Sequence, residues 1–226
     1  MEKTLKPSRR VVGGLSALEF DAPKGAPTIV FFHGYGADAA DLAPLALALQ
    51  LPRPARFVFA DAPLKLDWGG RAWFPIDTSR FETGRPLDWS ETTPPGLKEA
   101  REAAQEFLYE LNVPWKDLVL GGFSQGAMLS VDLALRAPEN PRGVAVLSGN
   151  LICRADWTKL APTRKGMPFL QTHGVGDPIL SYDGARALEK LLTGAGLAGE
   201  LFKFDGGHGI PPDALERLND FLAKLV

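Results

Sequence analysis

A serine framed by two glycines, directly after an apolar segment, is the strongest single constraint on this chain. Residues 122–126 read GFSQG, with apolar residues 118–120 before them and an apolar helical pattern over 127–135 after them. This is a G-x-S-x-G pentapeptide between a predicted strand and a predicted helix. Side chains at 122 and 126 would collide with neighbouring turns, and the serine itself would be strained. The pattern therefore predicts Ser124 at the tip of a sharp strand-to-helix turn.

Strand-like and helical segments alternate along the whole chain. Strands are predicted at 11–12 and 15–20 (a hairpin), 28–32, 56–60, 118–121, 143–147, 168–172 and 200–204. Helices are predicted at 38–49, 96–112, 182–193 and 211–225, besides the one after Ser124. Strands separated by helices predict an α/β fold, with a mainly parallel sheet and helices on both faces. A chain of 226 residues is consistent with one such domain over 1–226.

Composition excludes several classes of function. The formal net charge of −2 predicts neither a nucleic-acid partner nor an anionic membrane surface. The one cysteine, Cys153, rules out an intramolecular disulfide and a multi-cysteine metal site. No apolar run reaches membrane-spanning length, so no stable membrane insertion is expected. The polar, basic start of the chain lacks the apolar stretch of a signal peptide, which favours a cytoplasmic protein.

The segment 61–95 interrupts the alternation. It is rich in aromatic residues, namely Trp68, Trp73, Phe74, Phe81 and Trp89. It is too long for an ordinary connection and too aromatic to be disordered. Since ligands bind at the carboxyl ends of parallel strands, an excursion from such an end can cover part of a site. An equally acceptable interpretation is a loop that seals one edge of the core.

A catalytic serine requires a base, and the chain has three histidines from which to choose it. His33 precedes the serine, His173 follows the strand at 168–172, and His208 lies in a glycine-rich stretch before the last helix. On a G-x-S-x-G scaffold the chain order is serine, acid, histidine. That order selects His208 as the predicted base.

The acid that orients the base must then lie between Ser124 and His208. Asp177 follows the strand at 168–172 and precedes a proline, which keeps it out of a helix. Asp205 is the alternative, because it ends the last strand three residues before the histidine, although it also suits a turn there. Asp183 fits a helix-capping role. Asp177 is the predicted acid.

The tetrahedral intermediate needs two N–H donors, an oxyanion hole. The residue after the nucleophile, Gln125, supplies one backbone N–H at a helix N-terminus. The glycine-rich loop at 33–36 follows an early strand, and Tyr35 is the predicted second backbone donor. His33 is interpreted as a structural side chain rather than a participant.

These motifs together resemble the phospholipase/carboxylesterase family, which has the α/β-hydrolase fold and includes bacterial carboxylesterases and acyl-protein thioesterases. The resemblance extends from about residue 28 onward. The motifs that carry it are FHGYG (32–36), GG (69–70) with WF (73–74), GFSQG (122–126), LSG (147–149), THG (172–174) with DP (177–178), and GH (207–208). The resemblance implies Ser124, Asp177 and His208 as a catalytic triad and Tyr35 and Gln125 as the oxyanion hole.

The predicted activity is that of a serine carboxylesterase, which transfers a short or medium acyl group to water. Trp73 and Phe74 are predicted to border the acyl-binding pocket, and the alternative is that they only fill the core. A thioesterase or lysophospholipase could use the same triad on longer chains. A non-catalytic binding protein on the same fold is the third option. No metal or organic cofactor is expected, and the edges of the sheet leave a homodimer open.

Overall fold

The computed structural model describes residues 6–77, 79, 86 and 88–226. Its strands are β1 (Ser8–Val12), β2 (Leu15–Phe20), β3 (Thr28–Phe32), β4 (Arg56–Ala60), β5 (Leu64–Lys65), β6 (Arg71–Ala72), β7 (Leu118–Phe123), β8 (Gly143–Leu147), β9 (Pro168–Gly174) and β10 (Ala198–Phe204). Its α-helices are α1 (Ala39–Leu42), α2 (Leu45–Ala48), α3 (Leu97–Leu111), α4 (Gln125–Arg136), α5 (Arg154–Leu160), α6 (Tyr182–Gly194) and α7 (Pro212–Leu225).

Eight of these strands form one sheet, in the order β1-β2-β4-β3-β7-β8-β9-β10. From β4 to β10 every neighbouring pair is parallel, whereas β1 and β2 form an antiparallel hairpin that pairs with β4. The carboxyl ends of the parallel strands consequently meet at one edge, where the loops after β3, β7, β9 and β10 converge. The prediction of an α/β-hydrolase fold with a mainly parallel sheet is confirmed.

Helices cover both faces of the sheet, because successive residues of its buried strands point to opposite sides. On β3, Val30 and Phe32 belong to the larger core cluster, which includes residues of α3 and α4. Ile29 and Phe31 belong to a second cluster with residues of α1 and α7. Each face of the sheet has its own apolar layer. A group at the carboxyl end of β3 or β7 therefore lies between the two layers.

The single helix predicted over 38–49 is wrong. The structure has two short helices, α1 and α2, with Ala43 and Pro44 between them. Proline has no N–H to continue the helical hydrogen bonds, and its ring crowds the preceding turn. Leu42, Leu45 and Leu49 do pack together in one core cluster, as their spacing predicts. They are contributed by two short helices rather than by one long helix.

The remaining predicted elements are present with small shifts at their ends. The hairpin around residues 13–14 is β1–β2, and the strands β7, β9 and β10 each extend two residues beyond their predicted limits. The aromatic segment contains the small hairpin β5–β6 and a bridge between Trp89 and Ile152. Phe81, which the sequence analysis included in that segment, lies outside the described residues. No helix in the described part of the chain is long and apolar enough to cross a membrane.

Candidate active site

The turn that carries Ser124 has the strained geometry expected from its motif. Ser124 joins β7 to α4 with φ of 54° and ψ of −116°, a region that side chains other than glycine rarely occupy. Its N–H donates to the Leu147 carbonyl at 2.8 Å, which ties the turn to the neighbouring strand β8. A Cβ at 122 or 126 would overlap backbone atoms of the adjoining turns. Only glycine therefore fits on either side of the serine.

The predicted acid and base are in direct contact. His208 Nδ1 lies 2.6 Å from Asp177 Oδ2, across the loops that follow β10 and β9. The Asp177 side chain is fully buried, and the imidazole of His208 is largely covered. A buried carboxylate that accepts the Nδ1 proton leaves Nε2 of the same ring free to accept another proton. The two loops therefore present His208 as a base.

The Asp177 carboxylate is held by several donors. Its Oδ1 accepts the backbone N–H groups of Ile179 and Leu180 at 2.8 and 2.9 Å. Burial disfavours the ionised carboxylate, but the bonds from His208 and from these N–H groups outweigh it, so the pKa of Asp177 is lowered. The acid is thus ionised and fixed in orientation. Asp205, the alternative acid, is exposed and hydrogen-bonds to none of the described residues.

The residue that precedes Ser124 contacts the proposed base through its ring. The Phe123 ring, next to the serine, lies 4.8 Å from the His208 ring between centroids. A Cβ on Gly34 of the 33–36 loop would lie 3.4 Å from the Ser124 Cβ. No hydrogen bond joins Ser124 Oγ to His208 Nε2 among the described residues, a contact that often tightens only when substrate binds. Ser124 is 8% exposed, so a small part of it is open to solvent.

The two predicted oxyanion donors have free N–H groups. Among the described residues, nothing accepts a hydrogen bond from the backbone N–H of Tyr35 or of Gln125. Neighbouring backbone groups are paired, since Gly36 N–H donates to Arg71 O at 2.8 Å. Two unpaired donors beside a strained serine are the arrangement that an oxyanion requires.

His33 fixes the loop that carries Tyr35. Its Nε2 accepts the Ala62 N–H at 3.0 Å, which leaves the proton on Nδ1 to donate to the Gly34 carbonyl at 2.7 Å. Burial lowers the pKa of His33, so the ring is neutral in this role. The structure thus fits the structural role inferred for His33.

The side chain of Gln125 has a role that the motif alone did not indicate. Its Oε1 accepts the Trp73 N–H at 2.8 Å and its Nε2 donates to the Phe74 carbonyl at 2.7 Å. This amide therefore clamps the backbone of the aromatic segment against the start of α4. The Trp73 indole N–H donates in turn to the His33 carbonyl at 2.9 Å. The 33–36 loop and the aromatic segment are one connected unit.

Trp73 and Phe74, which are predicted to border the acyl pocket, are both buried in this structure. Their side chains are 1% and 0% exposed and belong to the larger core cluster. Rings already covered by their neighbours offer no open face to an acyl chain in this structure. Their burial fits the alternative, in which both rings fill the core and their backbone is held by Gln125.

We expect Trp73→Ala to act on stability rather than on substrate preference. Removing a fully buried tryptophan leaves a cavity and typically costs about 3–5 kcal/mol of unfolding free energy. Trp68→Ala is the matched control, because Trp68 is 67% exposed and should cost little. Denaturant unfolding of both variants measures this. A loss of activity confined to long acyl chains, with wild-type stability, would show instead that Trp73 binds substrate.

Two further polar residues support the site, and the sequence analysis assigned a role to neither. His173 Nε2 lies 3.0 Å from the Leu180 carbonyl and 3.3 Å from Asp177 Oδ2, and burial lowers its pKa, so it is a neutral donor. Ser148 Oγ donates to the Gly209 carbonyl at 3.1 Å, next to His208. Their positions, near the carboxyl end of β9 and directly after β8, were visible in the sequence, but their partners were not.

Metal ligation is not indicated in the described residues, where no group of three His, Cys, Asp or Glu side chains could hold an ion. Cys153 is buried, and burial raises the pKa of its thiol. The thiol is therefore a poor nucleophile, and it lies outside the strained turn.

Comparison with known proteins gives concordant results. The sequence model of the phospholipase/carboxylesterase family matches residues 16–226. Acyl-protein thioesterase 1 of Kluyveromyces lactis is 31% identical over 224 residues, which cover 88% of this chain and 91% of that protein. The crystal structure of esterase PE8 superposes with a TM-score of 0.78 at 28% identity, covering 94% of this chain and 99% of that one. A carboxylesterase structure from Mesorhizobium loti, at 21% identity and a TM-score of 0.75 (96% and 98% covered), shares the fold.

Proposed function

The chain belongs to the phospholipase/carboxylesterase family, and on that premise we propose that it is a serine carboxylesterase acting on short- and medium-chain acyl esters. Membership makes it a hydrolase of the esterase and thioesterase type. The observation that carries the finer proposal is the 2.6 Å hydrogen bond between Asp177 and His208, beside the strained turn of Ser124. In the proposed triad, Asp177 is the acid, His208 the base and Ser124 the nucleophile, and each comes from a separate loop, as acyl transfer requires.

The proposed reaction proceeds in two halves. His208 Nε2 takes the proton of Ser124 while the serine oxygen attacks the ester carbonyl. The N–H groups of Tyr35 and Gln125 bind the oxygen that becomes negative. The ionised Asp177 holds the His208 tautomer and stabilises the imidazolium. The alcohol then leaves with the proton from His208, and water, deprotonated by the same ring, hydrolyses the acyl-enzyme.

A mainly apolar cavity beside the aromatic segment supports the proposal that the acyl chain of the substrate binds there. It has a volume of about 540 Å³, and most of its walls are apolar, among them Ile76, Trp89 and Pro94. Its polar wall residues are Asp77, Thr92 and Thr93. It adjoins Pro75, the residue after the backbone that Gln125 clamps. This volume lies within the range of small-molecule sites and suits a short or medium chain. The aromatic segment thus supports substrate binding through Trp89 rather than through Trp73.

A thioesterase is the second candidate, and a specific comparison favours it. The relative from Kluyveromyces lactis is named an acyl-protein thioesterase and is similar along most of both chains. The same triad and oxyanion donors would cleave a thioester, whose thiolate leaves more readily than an alkoxide. The two candidates differ in the substrate and share the chemistry.

Two measurements test these proposals. A fluorophosphonate probe should label Ser124, as peptide mass spectrometry would show, because the probe reacts with a serine activated by a base. A panel of oxygen esters and thioesters with identical acyl chains then distinguishes the candidates by kcat/KM. No labelling and no turnover of any member would leave only a binding protein on this fold.

On the acid limb of its pH profile, kcat/KM should depend on the loss of a single proton. Activity should rise with pH on the acid side, because only a neutral base can accept the serine proton. The lowered pKa of Asp177 keeps its carboxylate ionised throughout that range, so no second proton contributes. The ionised Asp177 carboxylate stabilises the fold fully above its unfolded-state pKa of about 3.9. This stabilisation is lost as the pH falls through the lower pKa of the folded state. An acid limb with a slope of two would contradict this assignment.

A further inference from the structure

A second cavity has apolar walls in the layer of α1 and α7, whereas the aromatic segment packs on the layer of α3 and α4. Its volume is about 340 Å³, and its walls include Gly34 and Ala37 of the loop after β3, Leu42 of α1, Phe123, and Ile210 after the base. Gly34 is the neighbour of Ser124, and Phe123 precedes the serine in the chain. The cavity therefore opens beside the nucleophile, although the mechanism above has given it no occupant.

The two cavities lie over different faces of the sheet. Leu42, Phe123 and Ile210 belong to, or pack against, the apolar layer of α1 and α7. Trp73 and Trp89 belong to, or pack against, the layer of α3 and α4. An ester held at Ser124 has two arms, the acyl chain and the alcohol. One arm can enter each cavity without crossing the sheet.

The position of His208 decides which arm enters the second cavity. When the tetrahedral intermediate collapses, the bond between the carbonyl carbon and the alcohol oxygen breaks, and that oxygen receives from His208 Nε2 the proton taken from Ser124. The alcohol must therefore lie on the side of the imidazole. Phe123, a wall of the cavity, contacts the His208 ring at 4.8 Å, and Ile210 follows His208 by two residues.

We infer that this cavity binds the alcohol portion of the ester, an inference that rests on the proposed esterase function. The walls are mainly apolar, so the alcohol is an alkyl or similarly apolar group. Asp41 is the charged wall residue, and its carboxylate already accepts the Asp38 N–H at 2.7 Å. A carboxylate there disfavours an anionic alcohol portion. The small volume, near the lower limit for ligand sites, restricts the alcohol to a short chain.

Two isomeric esters distinguish the binding of the alcohol portion from that of the acyl portion. Hexyl acetate and ethyl hexanoate have the same composition, but the long chain is in the alcohol of the first and in the acyl group of the second. Ala37→Leu places a larger side chain in the cavity, and Ala40→Leu makes the same change at an exposed position of α1. Each excluded methylene costs about a fourfold factor in transition-state binding. Ala37→Leu should therefore lower kcat/KM for hexyl acetate roughly tenfold relative to ethyl acetate. The ratio of ethyl hexanoate to ethyl acetate should stay within about twofold, and Ala40→Leu should change neither ratio.

A second variant guards against misfolding of the first. Ile210→Ala removes an apolar wall at a half-buried position and should also reduce the preference for hexyl over ethyl acetate severalfold. A penalty that follows the acyl chain, or unchanged ratios in both folded variants, would overturn the inference while leaving the esterase intact. A wild-type protein that hydrolyses none of the three esters and is not labelled at Ser124 would instead remove the proposed function, and the inference with it.

Discussion

Ser124→Ala should reduce ester hydrolysis by about a million-fold, the scale for removal of the nucleophile from a triad that acts as a unit. No other hydroxyl among the described residues sits at the strained turn between β7 and α4. The residual rate would come from the oxyanion donors and from substrate binding. The backbone N–H of residue 124 keeps its bond to Leu147 O in the variant, so the turn and its stability should persist.

Ser130→Ala is the matched control for this experiment. Ser130 is a buried serine on α4 whose hydroxyl donates to the Gly126 carbonyl at 2.8 Å. Its removal should cost about 1 kcal/mol of stability and leave turnover nearly unchanged. Thermal unfolding and kcat/KM are measured for both variants with the same ester. Substantial activity in a folded Ser124→Ala protein would mean that another group is the nucleophile.

Much of the fold was predictable because its signals are local. Continuous apolar runs such as 28–32 and 143–147 indicate strands covered on both faces, and they form the centre of the sheet. The turn at Ser124 was predictable because two glycines, a strand and a helix occur within about twenty residues. The error at 38–49 shows the limit of periodicity. The apolar spacing was correct, but Pro44 divides the segment into two helices.

The supporting contacts of the candidate site could not be predicted in the same way, since they join distant parts of the chain. The Gln125 amide binds backbone groups more than fifty residues earlier in the sequence. Asp177, after β9, meets His208, after β10, because these two strands are neighbours in the sheet. The burial of Trp73 follows from packing under α3 and α4, whereas its sequence context was equally typical of a pocket wall. A single sequence does not reveal these relationships.

Asp177→Asn should lower kcat by about ten-thousandfold, the scale for an imidazole held in the wrong tautomer. The structure indicates why the loss should be so large. Oδ1 of residue 177 accepts two backbone N–H groups, from Ile179 and Leu180. An asparagine must keep its oxygen there, because its NH₂ group cannot accept hydrogen bonds. The NH₂ group would then face His208 Nδ1 and make it an acceptor, so that Nε2 carries the proton and cannot act as a base.

Asp205→Asn supplies the control, since it makes the same chemical change in an exposed side chain on the base's own loop. It should lower kcat by less than about threefold, because the Asp205 side chain is exposed and forms no hydrogen bond or ion pair with the described residues, and the imidazole keeps its partner. Measuring kcat and thermal unfolding for both variants separates catalysis from stability, which Asp177→Asn should also reduce through the lost contacts with His208 and His173. If Asp205→Asn proved the more damaging change while Asp177→Asn retained activity, the acid of the triad would be Asp205. The 2.6 Å contact with Asp177 would then be structural alone.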